Sequence, residues 1–391
     1  MLALLFLVRT AMAFQFQSVA ALAPLIRHDL GISIADIGFL IGLYLAPGIF
    51  FALPGGAVGE YLGDKRVVLV GLALMTAGGM LVVLSPSWPT QIAGRLTAGF
   101  GGVLLNVLMT KMVADWFATR ELATAMAIFV NSWPFGIALA LIVLPLVAGA
   151  GSLHMAYLLT ATLTAGGLLL FFALYRPAPH VPPTHGSAES AVPRGRILLA
   201  VILAGSVWGL FNAGLAMIFG FGPSLLAERG WSVAAASSAT SIVLWLVVFS
   251  VPLGGLLADC TGRPMGVLFA SMAGFAVALI VTVRMDSVLV GFLLLGVLSG
   301  LPAGPIMSMP ARVLTPRTRA NGMGIFYTLY YVIAVLAPWV AGITAKFAGT
   351  AAVTFDFGAA VLVLACLAAA AFCWLATRIE PAAATLALNR S

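Results

Sequence analysis

The segment YRPAPHVPPTHGSAESAVPRGR, residues 175–196, is the longest polar connection in a chain of 391 residues. Rich in Pro, Ser and Ala, it reads as a flexible linker rather than a regular element. The chain on either side is overwhelmingly apolar: 62% of residues are hydrophobic, 8% are charged, and the mean hydropathy is +1.13. Soluble domains carry about 25% charged residues, so this sequence could not cover a water-facing surface. It reads as an all-α polytopic membrane protein. A helix needs about 20 apolar residues to cross a bilayer. Cutting at charge and Pro/Gly clusters gives about twelve such runs, near 1–26, 34–58, 66–84, 89–112, 122–147, 153–175, 197–225, 233–257, 265–283, 288–311, 321–347 and 355–377. Six precede the linker and six follow it. The expected organisation is a first six-helix half over 1–175, a cytoplasmic linker over 176–196, a second half over 197–378 and a cytoplasmic tail over 379–391.

Charge sets the expected orientation. With both termini in the cytoplasm, the outer face holds Arg27, Arg229, Arg284 and Lys346, and Arg9 and Arg95 lie inside runs. The other thirteen of the nineteen Lys and Arg fall on the cytoplasmic side, as the positive-inside rule requires. That pattern also accounts for the net charge of +7 without nucleic acid, whose binding sites cluster their basic residues. Three cysteines without metal-ligand spacing, and no phosphate loop or nucleophile elbow, give no support for a metal, a cofactor or an enzyme. The Ala11–Ala13 stretch superficially offers a leader-cleavage site, but no basic region precedes it and many apolar runs follow. Residues 1–26 therefore read as the first span.

The two halves echo one another. GAVGEYLGDKR (Gly56 to Arg66) follows the second run and GLLADCTGR (Gly255 to Arg263) follows the eighth, each with glycine, an acid, glycine and a base at the matching turn. Internal repeats of this kind characterise secondary transporters, with substrate held near midplane between the repeats. The repeated turn resembles the signature loop of the major facilitator superfamily, with Glu60 where the family usually has Asp. GRLTAGFGG (Gly94 to Gly102) is similar to its fourth-helix Arg motif, and NSWPFGIAL (Asn131 to Leu139) stands where its fifth-helix Gly-Pro motif is expected. Within the superfamily, RTAMAFQFQSVAALAPLI (9–26), GLPAGPIMSMPARVL (300–314) and GMGIFYTLYY (322–331) look most like the cyanate/nitroimidazole branch, related to nitrate/nitrite porters. The Gly-rich fifth- and eleventh-helix signature of nitrate porters is absent. The resemblance implies that helices 1, 4, 7 and 10 line a central cavity. It also implies that Glu60, Lys65, Arg66, Asp259 and Arg263 form a conformational latch at the cytoplasmic turns. Pro47, Pro54, Pro134, Pro302, Pro305, Pro310 and Pro338 supply the bends that alternating access needs.

LFLVRTAMAF (5–14) sets the functional question, because a guanidinium at mid-bilayer costs about 2.5 to 3.5 kcal/mol on insertion scales. All twelve acids fall in loops or first turns, so Arg9 and Arg95 are the expected interior charges and both are positive. Arg suits planar recognition of carboxylates and oxyanions. The expected counter-charge is therefore a small anionic substrate shared by the two arginines. Two plainer readings stand beside it: Arg9 snorkels to the interface, and Arg95 bonds backbone carbonyls of neighbouring helices. At about 100° per residue, Phe16 shares the face of Arg9 with Gln17 to one side, and Asn106 shares that of Arg95. Asn131, Trp133, Trp208, Asn212, Tyr327 and Tyr331 complete the expected substrate-binding set, with Tyr330 beside them.

The expected function is secondary active transport of a small inorganic or carboxylate-like anion by alternating access, as proton symporter or anion exchanger. The partners are that anion and the lipid bilayer, in a monomer of the cytoplasmic membrane with no nucleic acid. Proton-driven efflux of lipophilic drugs is the competing reading, though it usually wants a membrane-embedded carboxylate. A reporter fused after His185 should be cytoplasmic and one inserted near Glu228 external. Finding residue 185 outside would reverse the orientation.

Overall fold

A computed structural model of the chain describes residues 1–51, 63–85, 87–117, 122–177, 192–315 and 318–388. Twelve helices in it are long and apolar enough to cross a membrane. Spans 1 to 6 are Leu2–Ala21, Ile34–Phe51, Asp64–Leu84, Trp88–Val113, Ile128–Ala150 and Leu153–Leu174. Spans 7 to 12 are Gly195–Glu228, Val233–Thr261, Pro264–Arg284, Val288–Arg312, Asn321–Ala348 and Ala352–Ile379. No strand occurs among the described residues. Residues 178–191 of the linker, and Glu60, lie outside the described residues. The last helix runs on to Leu388, into the stretch expected as a tail.

Local chemistry explains where these helices start and break. Span 2 opens on a capping box: Asp36 N–H donates to the Ser33 hydroxyl (3.3 Å) and Ser33 N–H to the Asp36 carboxylate (2.8 Å). This satisfies two amides that the first turn would otherwise orphan. Ser152 and Ser232 cap the helices of spans 6 and 8 with one bond each, accepting from Met155 N–H and Ala235 N–H. The run expected as one helix over 1–26 breaks at Leu22, two residues before Pro24, which lacks the N–H that would bond Ala20 O and whose ring crowds that carbonyl. Span 2 likewise loosens at Tyr44–Ala46, ahead of Pro47. Span 10 is interrupted between Ser299 and Ala303. Pro134, Pro223, Pro252 and Pro338 instead sit within continuous helices.

Packing repeats between the halves. Span 1 lies against 5 and 6, span 3 against 4 and 6, and span 2 against 4; span 7 lies against 11 and 12, span 9 against 10 and 12, and span 8 against 10. The six-helix unit is thus built twice. Spans 2 and 11, and spans 5 and 8, close the seam between the units. Leu84, Phe172, Phe249, Leu256 and Leu367 are exposed on the perimeter, as expected of side chains facing acyl tails.

Lipid offers helices no hydrophobic drive to associate, so close approach through small residues matters. Gly38 and Gly42, one helical turn apart, form such a seam: a Cβ on either would run into a span 11 carbonyl, of Pro338 and Val335 respectively. Gly342 meets the Ala35 backbone alongside. The Ser237 hydroxyl donates to Ala21 O (3.2 Å) nearby. These contacts join the halves at the end of the bundle away from the termini. Gly42→Leu should therefore pry spans 2 and 11 apart. A cysteine placed at Ala35 should then react severalfold faster with a water-soluble maleimide than in the Gly42 protein. Equal rates would show that the glycine seam does not hold that end shut.

Candidate substrate-binding site

Arg95 lies on the inner face of span 4 and is 4% exposed. Its Nε donates to Leu40 O (3.1 Å), one terminal nitrogen to Gln15 O (3.0 Å) and the other to Phe16 O (2.9 Å). The guanidinium carbon stands 4.8 Å from the Tyr44 ring centroid and 5.9 Å from that of Phe16, within cation–π range. One buried cation therefore fastens spans 1 and 2 to span 4. The adjoining cavity, lined in part by Gln15, Ser18, Gln91 and Tyr157, measures about 30 Å³. That is room for a water, which needs roughly 10–15 Å³, and not for an organic anion. The structure thus places Arg95 as in the plainer reading, with its nitrogens engaged by backbone carbonyls of neighbouring helices. One of the carbonyls it grips is that of Phe16, which lines the central cavity.

Arg9 is placed differently. About two turns in from the start of span 1, it reaches across the bundle. One terminal nitrogen donates to Phe129 O (3.1 Å) and Val130 O (3.4 Å), the other to Asn106 Oδ1 (3.1 Å). Its guanidinium also stands 4.6 Å from the Phe129 ring centroid. Nε is buried with no hydrogen-bond partner. Among the described residues the ion pairs are Lys111–Asp64 and Arg284–Asp356, so no carboxylate offsets Arg9. Asn106 passes the contact on, its Nδ2 lying 3.5 Å from the Tyr331 hydroxyl in the other half. Asn106 and Arg95 do share a face, but eleven residues, or roughly 16 Å at 1.5 Å each, separate them along span 4. The amide serves Arg9 instead.

The central cavity, about 170 Å³, lies on the seam and takes its walls from spans 1, 2, 5, 7, 8, 10 and 11. Phe16, Asn131, Trp133, Trp208 and Asn212 of the expected set line it, as does Tyr330. Gln17, Tyr327, Tyr331 and Asn106 do not. Gln17 Nε2 instead donates to Phe219 O (2.7 Å), tying span 1 to span 7. Arg9 is not itself among the lining residues, but the Val130 carbonyl it holds belongs to one. Of the implied helices 1, 4, 7 and 10, spans 1, 7 and 10 line this cavity, together with spans 2, 5, 8 and 11, and no span 4 residue is among its lining. Phe211 and Phe219 were not expected as lining residues, and apolar residues in an apolar helix carry no signal that would single them out.

At the end of the bundle near the termini, Lys65 donates to Tyr175 O (3.1 Å), while Arg66, Asp259 and Arg263 are exposed. No ion pair links Asp259 or Arg263 to another described residue. Among the described residues Lys65, Arg66, Asp259 and Arg263 form no ion pair, and Glu60, the fifth expected member, lies outside them. The bridge found there is Lys111–Asp64 (3.0 Å), between two spans of one half.

The family model described as Major Facilitator Superfamily matches residues 5–225 and 197–390. A hexuronate transporter of Bacillus subtilis is 24% identical, over 69% of this chain and 66% of that protein. A probable sulfoacetate transporter of Cupriavidus necator is 22% identical, over 66% of each chain. The chain thus spans just under two thirds of both relatives. Drug exporters also occur among the relatives. The crystal structure of the nucleoside transporter NupG superposes with a TM-score of 0.75 at 17% identity, covering 94% of this chain and 98% of that one, a likeness of fold alone.

Arg95→Ala would strip three carbonyls of a charged donor. Hydrogen bonds to charged groups contribute about 1.5–3 kcal/mol each, so thermal stability in detergent should fall clearly. Arg95→Lys should rescue little, because one ammonium lacks the fork that reaches three oxygens. Wild-type stability in both variants would remove the clamp.

Proposed function

This chain belongs to the major facilitator superfamily of membrane transporters, and on that premise we propose that it moves a small anion across the cytoplasmic membrane by alternating access. The observation that carries the reading is Arg9, a cation beside the central cavity that no described carboxylate offsets. A charge held this way in an apolar bundle attracts an anion, and the buried, unpartnered Nε leaves hydrogen-bonding capacity unspent. Two relatives named for anions, hexuronate and sulfoacetate, support the same direction. So does the likeness of residues 9–26, 300–314 and 322–331 to the cyanate/nitroimidazole branch. The inward orientation of both termini rests on the Lys/Arg bias. Entry of the anion with a proton, or its exchange for another anion, would each balance the charge moved. The lining of the cavity, rich in Phe and Trp, favours a second reading, efflux of lipophilic compounds, which the drug exporters among the relatives also represent.

Arg9→Ala decides between them. Loss of a charge-assisted contact costs on the order of 1.5 to 3 kcal/mol, so anion affinity should fall roughly ten- to a hundred-fold in protein that still folds. Arg9→Lys should recover little of it, and uptake of a neutral lipophilic dye should be indifferent to either change. Unchanged anion affinity in folded Arg9→Ala would refute the anion reading.

A further inference from the structure

We infer that the transported anion is an aromatic monocarboxylate of benzoate size, its ring held among the cavity's aromatic side chains and its carboxylate at the Arg9 end; this rests on the anion reading above. The walls supply aromatic side chains from both halves. Phe16 and Trp133 pack at 5.1 Å between ring centroids in one half, and Trp208 and Tyr330 at 6.3 Å in the other. Aromatic rings pair favourably in stacked or edge-on arrangements at such separations. These side chains meet on the seam, where Phe16 also touches Phe219 of the opposite half edge-on at 6.5 Å.

Size and polarity narrow the ligand further. An engineered apolar cavity of about 150 Å³ accepts one benzene, so the 170 Å³ here suits a single ring with a short substituent. Polar groups in the walls are few: two asparagine amides, the Tyr330 hydroxyl and the two indole N–H groups. Part of one amide is already spent, because Asn212 Nδ2 donates to Trp208 O (2.8 Å). A sugar acid would bring several hydroxyls that this lining could not all satisfy, and each buried one without a partner is costly. A flat ring makes no such demand. The single charge matches as well. Arg95 is engaged by carbonyls, which leaves Arg9 as the cation next to the cavity, and Asn131 follows in sequence the Val130 whose carbonyl Arg9 holds. A carboxylate held by the Asn131 amide then lies one residue along from the Val130 carbonyl that Arg9 grips.

The test is equilibrium binding of benzoate, glucuronate and benzamide to the full chain in lipid nanodiscs, followed by calorimetry and by tryptophan fluorescence. Benzoate should bind at least about tenfold, one decade of affinity, more tightly than either of the others. Trp133→Ala and Trp208→Ala, one in each half, should each weaken benzoate and diminish its fluorescence change. Two variants are used because either alone could lower folded yield. Glucuronate binding as tightly as benzoate, or benzoate affinity unmoved by both tryptophan changes, would overturn the aromatic ligand and leave the anion reading standing. Benzamide binding as tightly as benzoate would overturn the anion reading together with it. Absence of benzoate binding by folded protein would equally overturn this inference.

Discussion

The Arg95 guanidinium ends on the carbonyls of Leu40, Gln15 and Phe16, and much of the first half is arranged around that contact. A buried cation in an apolar bundle must be offset by something, since desolvation without compensation is prohibitive. Carbonyl dipoles from two helices and the faces of two aromatic rings perform that task here without any carboxylate. The same contacts set span 1 at a defined height against spans 2 and 4. Phe16 thereby reaches the central cavity, and Arg9 stands two turns further toward the terminus.

The second half repeats the packing of the first but not its charges. No described acid pairs with either interior arginine, and both arginines belong to the first half. To the cavity the second half contributes the rings of Trp208, Phe211, Phe219 and Tyr330 among aliphatic side chains. The cavity on the seam therefore has aromatic side chains from both halves, with Arg9 behind the Val130 of the first. An amphiphilic ligand would engage both halves at once, which gives binding a direct handle on how they sit against each other.

Closure has a comparable division. At the end away from the termini the halves meet backbone to backbone, through Gly38, Gly42 and Gly342, with no ionic contact between them among the described residues. Near the termini, Asp259 and Arg263 stand exposed and unpaired by any ion pair. Short-range steric fit thus holds the end away from the termini.

Composition and the run lengths of apolar residues by themselves determined the membrane class, the twelve spans and the twofold build. Those properties depend only on local hydrophobicity and on the bilayer thickness that every span must cross. The repeated turns at 56–66 and 255–263 likewise identified the superfamily before any contact was seen. Arg9 and Arg95, in contrast, look alike in sequence, each a lone cation in an apolar run. Only the tertiary structure separated them, because what offsets a buried charge is set by whichever carbonyls, amides and rings other helices bring within about 3 Å. Helical periodicity placed Asn106 on the right face but could not say that it serves Arg9, since the height of one span against another is decided by packing. The same holds for the cavity: Phe211 and Phe219 became lining residues through the meeting of two halves some two hundred positions apart.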